Sequence, residues 1–271
     1  MPITSLSNVV AGFQYPRFFG KAMSGTLTVG RPHSYWAVAG VPGVGTYDTT
    51  LNGVVLSSSS APVNGQLHCS DPVSGNQHLS TLIANANVSG VLLVLDRLWH
   101  NGGFTITSTS PQTLTSPTWP ARDATGTTNG EGVLCAVEVS AATGAGTPTL
   151  TVEYTNQAGT AGRTATNWVA ATGATSIAGT MYPIGLQSGD TGIRSIQSLT
   201  LSATWTSGTI NLVAYRVLGV LNISTAAGGG IINAASGGLG QMFNGTVPYF
   251  AYTAIAGNQT GIWGTAIYTR G

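Results

Sequence analysis

Large aliphatic residues run without a break from Val91 to Leu95, and Asp96, Arg97, Leu98, Trp99 and His100 follow at once. A run that is apolar on both faces must be covered on both faces. It is too short for a membrane-spanning helix. Residues 91–99 therefore read as a buried central strand, and Asn101-Gly102-Gly103 as the turn that leaves it. Alternation predicts further strands. Val133, Cys135, Val137 and Val139 share one face of 133–139, and Leu150, Val152 and Tyr154 share one face of 149–154. The intervening AATGAGTP predicts a hairpin between them. Leu199, Leu201, Ala203 and Trp205 alternate along 198–206, and Ser207-Gly208 predicts a second hairpin, to 209–220. Residues 104–109 and 169–181 read as additional strands, and 25–30, 34–39 and 51–56 as short ones. Residues 110–131 are too rich in proline for a central strand. Leu79, Leu82 and Ile83 fall at helical spacing, so 76–87 is the best helix candidate.

Turn-bounded strands with almost no helix predict a mainly β protein. The expected form is an antiparallel β-sandwich or jelly roll with extended N- and C-terminal arms. Residues 1–87 would be the N-terminal arm, with short strands and the one helix. Residues 88–225 would be the sandwich, and 226–271 a glycine-rich linker with an aromatic docking segment. Phe13, Tyr15, Phe18 and Phe19 cluster in the first arm, and Phe243, Tyr249, Phe250 and Trp263 in the last. Aromatic side chains in an arm need a surface to lie on. These eight are therefore interface candidates. Asp96, Arg97, Trp99 and His100 join them, as the groups that mark where the apolar strand leaves the core.

Composition sharpens this picture through charge. The 271 residues hold nine Lys and Arg and eight Asp and Glu, so 6% are charged, against a typical ~25%. Hydrophobic content is 42%, which excludes the core-poor signature of disorder. A free monomer leans on surface charge for solubility, so this chain is expected to hide surface in an assembly. Its basic residues are spread singly, with no basic arm, and no nucleic-acid partner is expected. The N-terminus lacks a basic region and an apolar core of the secretory type, and no membrane partner is expected. Cys69 and Cys135 follow no motif and read as free buried thiols, with a disulfide as the alternative.

Candidate chemistry changes little. His68, Cys69, Asp71 and His78 are zinc-ligand types. Their spacing matches no standard site, and adjacent residues of an extended chain point opposite ways, so they read as a polar loop near a subunit contact. Asp96 and His100 share a strand face and could form half of a hydrolytic dyad, yet no nucleophile elbow accompanies them. Glu131, Glu138 and Glu153 are candidate glycosidase carboxylates, with Glu138 and Glu153 on the polar faces of the expected hairpin, where isolated carboxylates are usually surface residues. The glycine tracts lack the Gly-Lys-Ser/Thr of a phosphate loop. No enzyme activity, metal or cofactor is expected.

The Met1 start, the scarcity of charge and the stretches GTPTLTVEYTNQAGTAGR and QSLTLSATWTSGTINLVAYRVLGV resemble structural proteins of tailed-bacteriophage virions. The aromatic extensions belong to the same picture. The likeness covers mainly 88–225 and assigns no site residue. It implies a virion protein of the jelly-roll head-decoration type, self-associating as a trimer and binding other virion proteins such as the major capsid protein. A tail, collar or fibre module and a lectin-like carbohydrate-binding sandwich are the alternatives.

Overall fold

A computed structural model describes residues 3, 5–23, 25, 27–58, 62–167, 175–225, 228–256 and 261–271. Its strands are β1 (Arg17–Ala22), β2 (Pro32–Ser34), β3 (Gly40–Val41), β4 (Val54–Val55), β5 (Gln77–Ala86) and β6 (Gly90–His100). They continue with β7 (Gln112–Thr113), β8 (Val133–Ala141), β9 (Leu150–Asn156), β10 (Arg163–Thr166), β11 (Met181–Pro183) and β12 (Ile193–Leu201). The last are β13 (Thr209–Ile223), β14 (Gly229–Asn233), β15 (Gln241–Met242), β16 (Pro248–Ala254) and β17 (Gly261–Arg270). Two short helices, α1 (Leu6–Ala11) and α2 (Ala234–Gly237), complete the set. The protein is mainly β, in the sandwich and jelly-roll class. The chain divides into two compact units built from non-contiguous segments. The first comprises Met1–Thr46, Ser57–Asp96 and Val217–Gly271, the second Tyr47–Leu56 and Arg97–Arg216.

In the first unit a six-stranded sheet has the order β14-β5-β17-β1-β3, with β15 also on β5. Both ends of the chain supply strands to it: β1 pairs antiparallel with β17 from Arg17↔Ala266 to Ala22↔Gly261. The inward residues Phe19, Leu82, Ala84, Ile262 and Ala266 are buried. Opposite them, β16 pairs with β6 from Pro248↔Asp96 to Ala254↔Gly90, and with β2. Phe19 meets Phe250 with ring centroids 4.2 Å apart, and Trp36 meets Tyr249 edge-on at 5.9 Å. The buried Lys21 ammonium donates to the carbonyls of Tyr35 (2.8 Å), Val38 (3.1 Å) and Gly43 (3.3 Å), which anchors the loop after β2. Burial lowers its pKa to about 8.

The helix expected at 76–87 is instead β5. Its burial alternates around Leu82, Ala84 and Ala86, and it finds hydrogen-bonding partners on both sides, β14 and β17. Helical spacing of three apolar residues loses to two ready-made strand edges, because the ladder satisfies the backbone while burying the same side chains. The glycine-rich stretch after residue 227 contains β14, α2 and β15.

In the second unit one sheet has the order β10-β9-β12-β7. It faces β11-β8-β13, with the C-terminal end of β6 and then β4 alongside. One core lies between these layers, filled by Val133, Cys135, Val137 and Val139 from β8 and by Leu150, Val152 and Tyr154 from β9, with residues of β12 and β13. Both expected hairpins are corrected. β8 pairs with β13 and β11, while β9 pairs with β12 and β10. The loops after β8 and β12 therefore cross between sheets. Period-two alternation marks which side chains point inward, and a strand on either layer of a sandwich carries the same mark.

Smaller corrections follow the same logic. Residues 104–109 form no strand, although Phe104 and Ile106 enter the core. Of 34–39 only Ser34 is strand, as the last residue of β2, and 51–56 shrinks to β4. Of 25–30, Thr26 lies outside the described residues, and 27–30 are not strand. Of 169–181, residues 169–174 lie outside the described residues, and β11 begins at Met181. The expected buried strand at 91–99 stands as β6, in which every residue from Val94 to His100 is buried.

Close sheet packing makes Gly264 a sensitive position. A Cβ there would lie 2.0 Å from the Ile83 carbonyl oxygen and 2.7 Å from Phe19 Cζ. Gly264→Ala is expected to destabilise by about 1–3 kcal/mol, as overpacking does. Gly43→Ala, with open space around its Cβ and no positive φ, is expected to stay within about 0.5 kcal/mol of the parent. Urea unfolding midpoints of the two variants check this.

Candidate functional site

The polar residues at the end of β6 form an enclosed network in the second unit. Arg97 Nη1 donates to Glu138 Oε2 at 2.7 Å, and neither side chain is exposed. Tyr47 Oη donates to Glu138 Oε1 at 2.8 Å, and the Arg97 guanidinium carbon sits 5.7 Å from the Tyr47 ring centroid. Arg97 Nε donates to His100 Nδ1 at 2.9 Å. Arginine has no acceptor and does not release its proton, so His100 is the neutral tautomer with its proton on Nε2. Burial, then the Arg97 charge, depress the His100 pKa to about 2. An imidazole so held is no proton carrier near neutral pH. The network instead joins β6 to β8 and to the segment at Tyr47.

The neighbouring residues are equally committed. Asp96, in the first unit, accepts the Val247 N–H at 2.9 Å. Trp99 donates its indole N–H to the Asn52 carbonyl at 2.9 Å. Asn101 accepts the Leu212 N–H at 2.8 Å and donates to the Leu51 carbonyl at 2.7 Å. Arg122, also buried, donates to the carbonyls of Leu56 and Arg97. Asp96 thus takes a backbone N–H from Val247, and His100 takes the Arg97 guanidinium.

The other candidate carboxylates are dispersed. Glu138 is fully buried in the layer of β8, correcting its expected place on a polar hairpin face, while Glu153 lies on β9 in the other sheet and accepts from Ser198 Oγ at 3.3 Å. Glu131 accepts from Thr191 Oγ1 at 2.9 Å. His68 contacts Gln66 at 2.7 Å, Cys69 donates to Gln77 at 3.4 Å, and Asp71 accepts the Gly245 N–H at 2.9 Å. His78 lies on β5. Among the described residues no His, Cys, Asp and Glu group is arranged to hold a metal ion. Both cysteines are free and buried, and burial pushes both thiols up.

Two acids that the sequence did not single out organise loops. Asp190 accepts from Tyr154 Oη (2.5 Å), Asn156 Nδ2 (2.7 Å) and Arg163 Nε (2.9 Å). Asp123 accepts four backbone N–H groups, from Thr125, Thr127, Gly130 and Glu131, and two threonine hydroxyls. These hydrogen bonds hold both carboxyls at a pKa of about 2.

The interface candidates divide by exposure. Phe19, Asp96, Arg97, Trp99, His100, Tyr249 and Phe250 are enclosed within the chain, and Phe243 is half-buried. Tyr15, Phe13, Phe18 and Trp263 remain exposed, Tyr15 at 88% and Phe18 at 60%. Phe18 and Trp263 lie on the outward face of the six-stranded sheet. One register row there is Ile231, Ile83, Thr265 and Phe18. The next is Gly229, Asn85, Trp263, Gly20 and Val41. A third holds Asn233, Thr81 and Ile267. None of these residues is ionisable. A Cβ on Gly20 would lie 3.5 Å from Phe18 Cζ and 3.9 Å from Trp263 Cβ, so the two aromatics flank a shared gap. Ile83 (39%) and Ile231 (66%) continue the exposed apolar surface. Alternation through Thr81, Ile83 and Asn85 was the signal for Ile83, masked by the helical spacing of its neighbours.

No known protein family and no curated protein matches the chain. Among solved structures, the subviral particle of infectious bursal disease virus VP2 overlaps 96% of this chain and 82% of that one, at 11% identity and a TM-score of 0.19. T=1 particles of a mutant VP2 from the same virus overlap 95% of this chain and 41% of that one, at 12% identity and a TM-score of 0.14. Overlap so slight assigns no role.

Two outcomes follow from the buried groups. Glu138→Leu strands the Arg97 charge and is expected to destabilise by about 3–5 kcal/mol, whereas Arg97→Met combined with Glu138→Leu is expected to lose less than the single change. Denaturant titration of the pair reads this directly. Acid acts in two windows. His33 and His100, depressed to about 4 and about 2 by burial, stay neutral when folded while the unfolded chain protonates near 6.5. Stability is then full above that pH and falls below it, by up to about 1.4 kcal/mol per pH unit for each. Asp123 and Asp190 add a loss between pH 3.8 and about 2. His100→Gln, which keeps an acceptor for Arg97, is expected to remove one proton's worth of the slope between pH 6.5 and 4, measured by urea unfolding across that range.

Proposed function

We propose that the protein is a non-enzymatic structural subunit of a virion that self-associates through the outward face of its six-stranded sheet. The observation that carries this reading is the neutrality of that face. Three register rows across the sheet present Phe18, Trp263, Ile83 and Ile231 to solvent without one ionisable side chain. A face without charge offers nothing to select an acidic or basic partner. Its natural complement is another neutral, flat, apolar surface, and a second copy of the chain supplies one. Around a three-fold axis, one part of this face would meet a different part of the same face on the next copy. Exposed Phe13 and Tyr15 extend the line of β1 toward Thr269, which lengthens the apolar edge available to a neighbour.

The use of ionisable groups inside the chain supports the same reading. Arg97, Glu138, Asp190 and Arg163 pair internally, and Lys21 holds three carbonyls. Little charge is left to keep a free monomer apart from its copies. The likeness in texture to phage head-decoration proteins extends the reading to a trimer that binds the major capsid protein from outside and stabilises the particle by mass action. A tail, collar or fibre module would use the same face.

Sedimentation at micromolar concentration is expected to show an oligomer for the parent chain. Phe18→Asp combined with Trp263→Asp is expected to yield a folded monomer, since both side chains are surface residues whose change costs little stability. A parent chain that sediments as a monomer overturns self-association.

A further inference from the structure

We propose that the second unit carries a binding site for an anionic saccharide, centred on Arg194. This goes beyond the assembly role and rests on residues remote from the neutral face in sequence. A cleft of about 290 Å³ is lined by Arg194 with the hydroxyl residues Ser116, Thr118, Thr128, Thr155 and Ser195. That volume lies at the small end of ligand clefts and suits a single sugar ring.

Three observations converge on Arg194. It is the extra residue of a β-bulge: β12 pairs Ile193 with Asn156 and Ser195 with Thr155, leaving Arg194 without a partner on β9. Bulges re-aim a side chain and gather beside functional sites. Second, no hydrogen bond or ion pair occupies its guanidinium among the described residues, unlike those of Arg97 and Arg163. Third, its surroundings keep it placed. A Cβ on Gly159 would lie 3.4 Å from Arg194 Nη1, so the guanidinium rests against the turn after β9.

The lining is rich in donors. Ser116 Oγ already accepts the Ile196 N–H at 2.9 Å, and Ser195 Oγ accepts from Gln197 Nε2 at 2.8 Å, so each hydroxyl keeps its own proton to donate. Thr118, Thr128 and Thr155 have no side-chain hydrogen bond among the described residues. No carboxylate lines the cleft. The nearby acids are engaged, Glu153 with Ser198 and Glu131 with Thr191. A guanidinium fork matches a carboxylate with two parallel hydrogen bonds, and a ring of hydroxyls serves the hydroxyls of a sugar. Phosphate and sulfate share the oxyanion chemistry and lack the ring.

The test is NMR titration of the full chain with glucuronate, N-acetylneuraminate, glucose, phosphate and sulfate. Shifts are expected at Thr118, Thr128, Thr155 and Arg194 with the two acidic sugars, and weaker ones with glucose. Arg194→Gln is expected to weaken acidic-sugar binding about tenfold while the rest of the spectrum keeps its folded dispersion. Phosphate or sulfate binding as tightly as the sugars overturns the saccharide assignment. Absence of shifts at these residues, or shifts unchanged in Arg194→Gln, overturns the site. Neither result bears on oligomer formation, which sedimentation reads separately.

Discussion

Burying Asp96, Arg97 and His100 within one strand obliges the surrounding chain to provide a partner for each. An unpaired charge in such a place costs several kcal/mol. The partners are Val247, Glu138 and Arg97 itself, with Tyr47 closing the carboxylate. These come from segments far apart in sequence, so the polar end of β6 specifies how strands meet. Apolar packing alone would tolerate several registers, whereas a guanidinium between a carboxylate and an imidazole tolerates few. That β6 is apolar up to Leu95 and polar after it therefore matters more than its length.

The same economy of charge shapes the surface. With 17 ionisable carboxylate, amine and guanidinium groups in 271 residues, each one used internally leaves the exterior more neutral. Asp123 and Asp190 fasten loops, and Lys21 fastens the segment after β2. What remains outside is mostly hydroxyl, amide and apolar surface, with Arg17 and Arg194 among the exposed charges. The outward face of the six-stranded sheet is the clearest example, and Arg194, left without an internal anion, stands out against it.

Much of the fold was legible from residue patterns. The apolar run 91–95 marked the strand β6, although Val91 and Leu93 are only half-buried. The alternation in β8 and β9 and at Leu199 and Leu201 of β12 marked inward side chains, while Ala203, expected inward, is exposed beyond the end of β12. The site was less legible. Phe18 and Trp263 were flagged as aromatics needing a surface. Ile83, Ile231, Tyr47, Asp190 and Arg194 were not, because each is ordinary in its local sequence and acquires meaning from residues tens of positions away.

The sequence by itself determined the class of structure, the buried strand and the scarcity of charge, since these depend on side-chain type and local period. Tertiary structure alone decided which strand pairs with which. A strand's alternation states which residues face the core and is silent on the neighbour that supplies its hydrogen bonds. That is why 76–87 became β5 between β14 and β17, and why the loops after β8 and β12 cross between sheets instead of closing hairpins. It also decided that Arg97 and His100 point into a sealed network, because their partners Glu138 and Tyr47 come within reach only when the sheets are assembled.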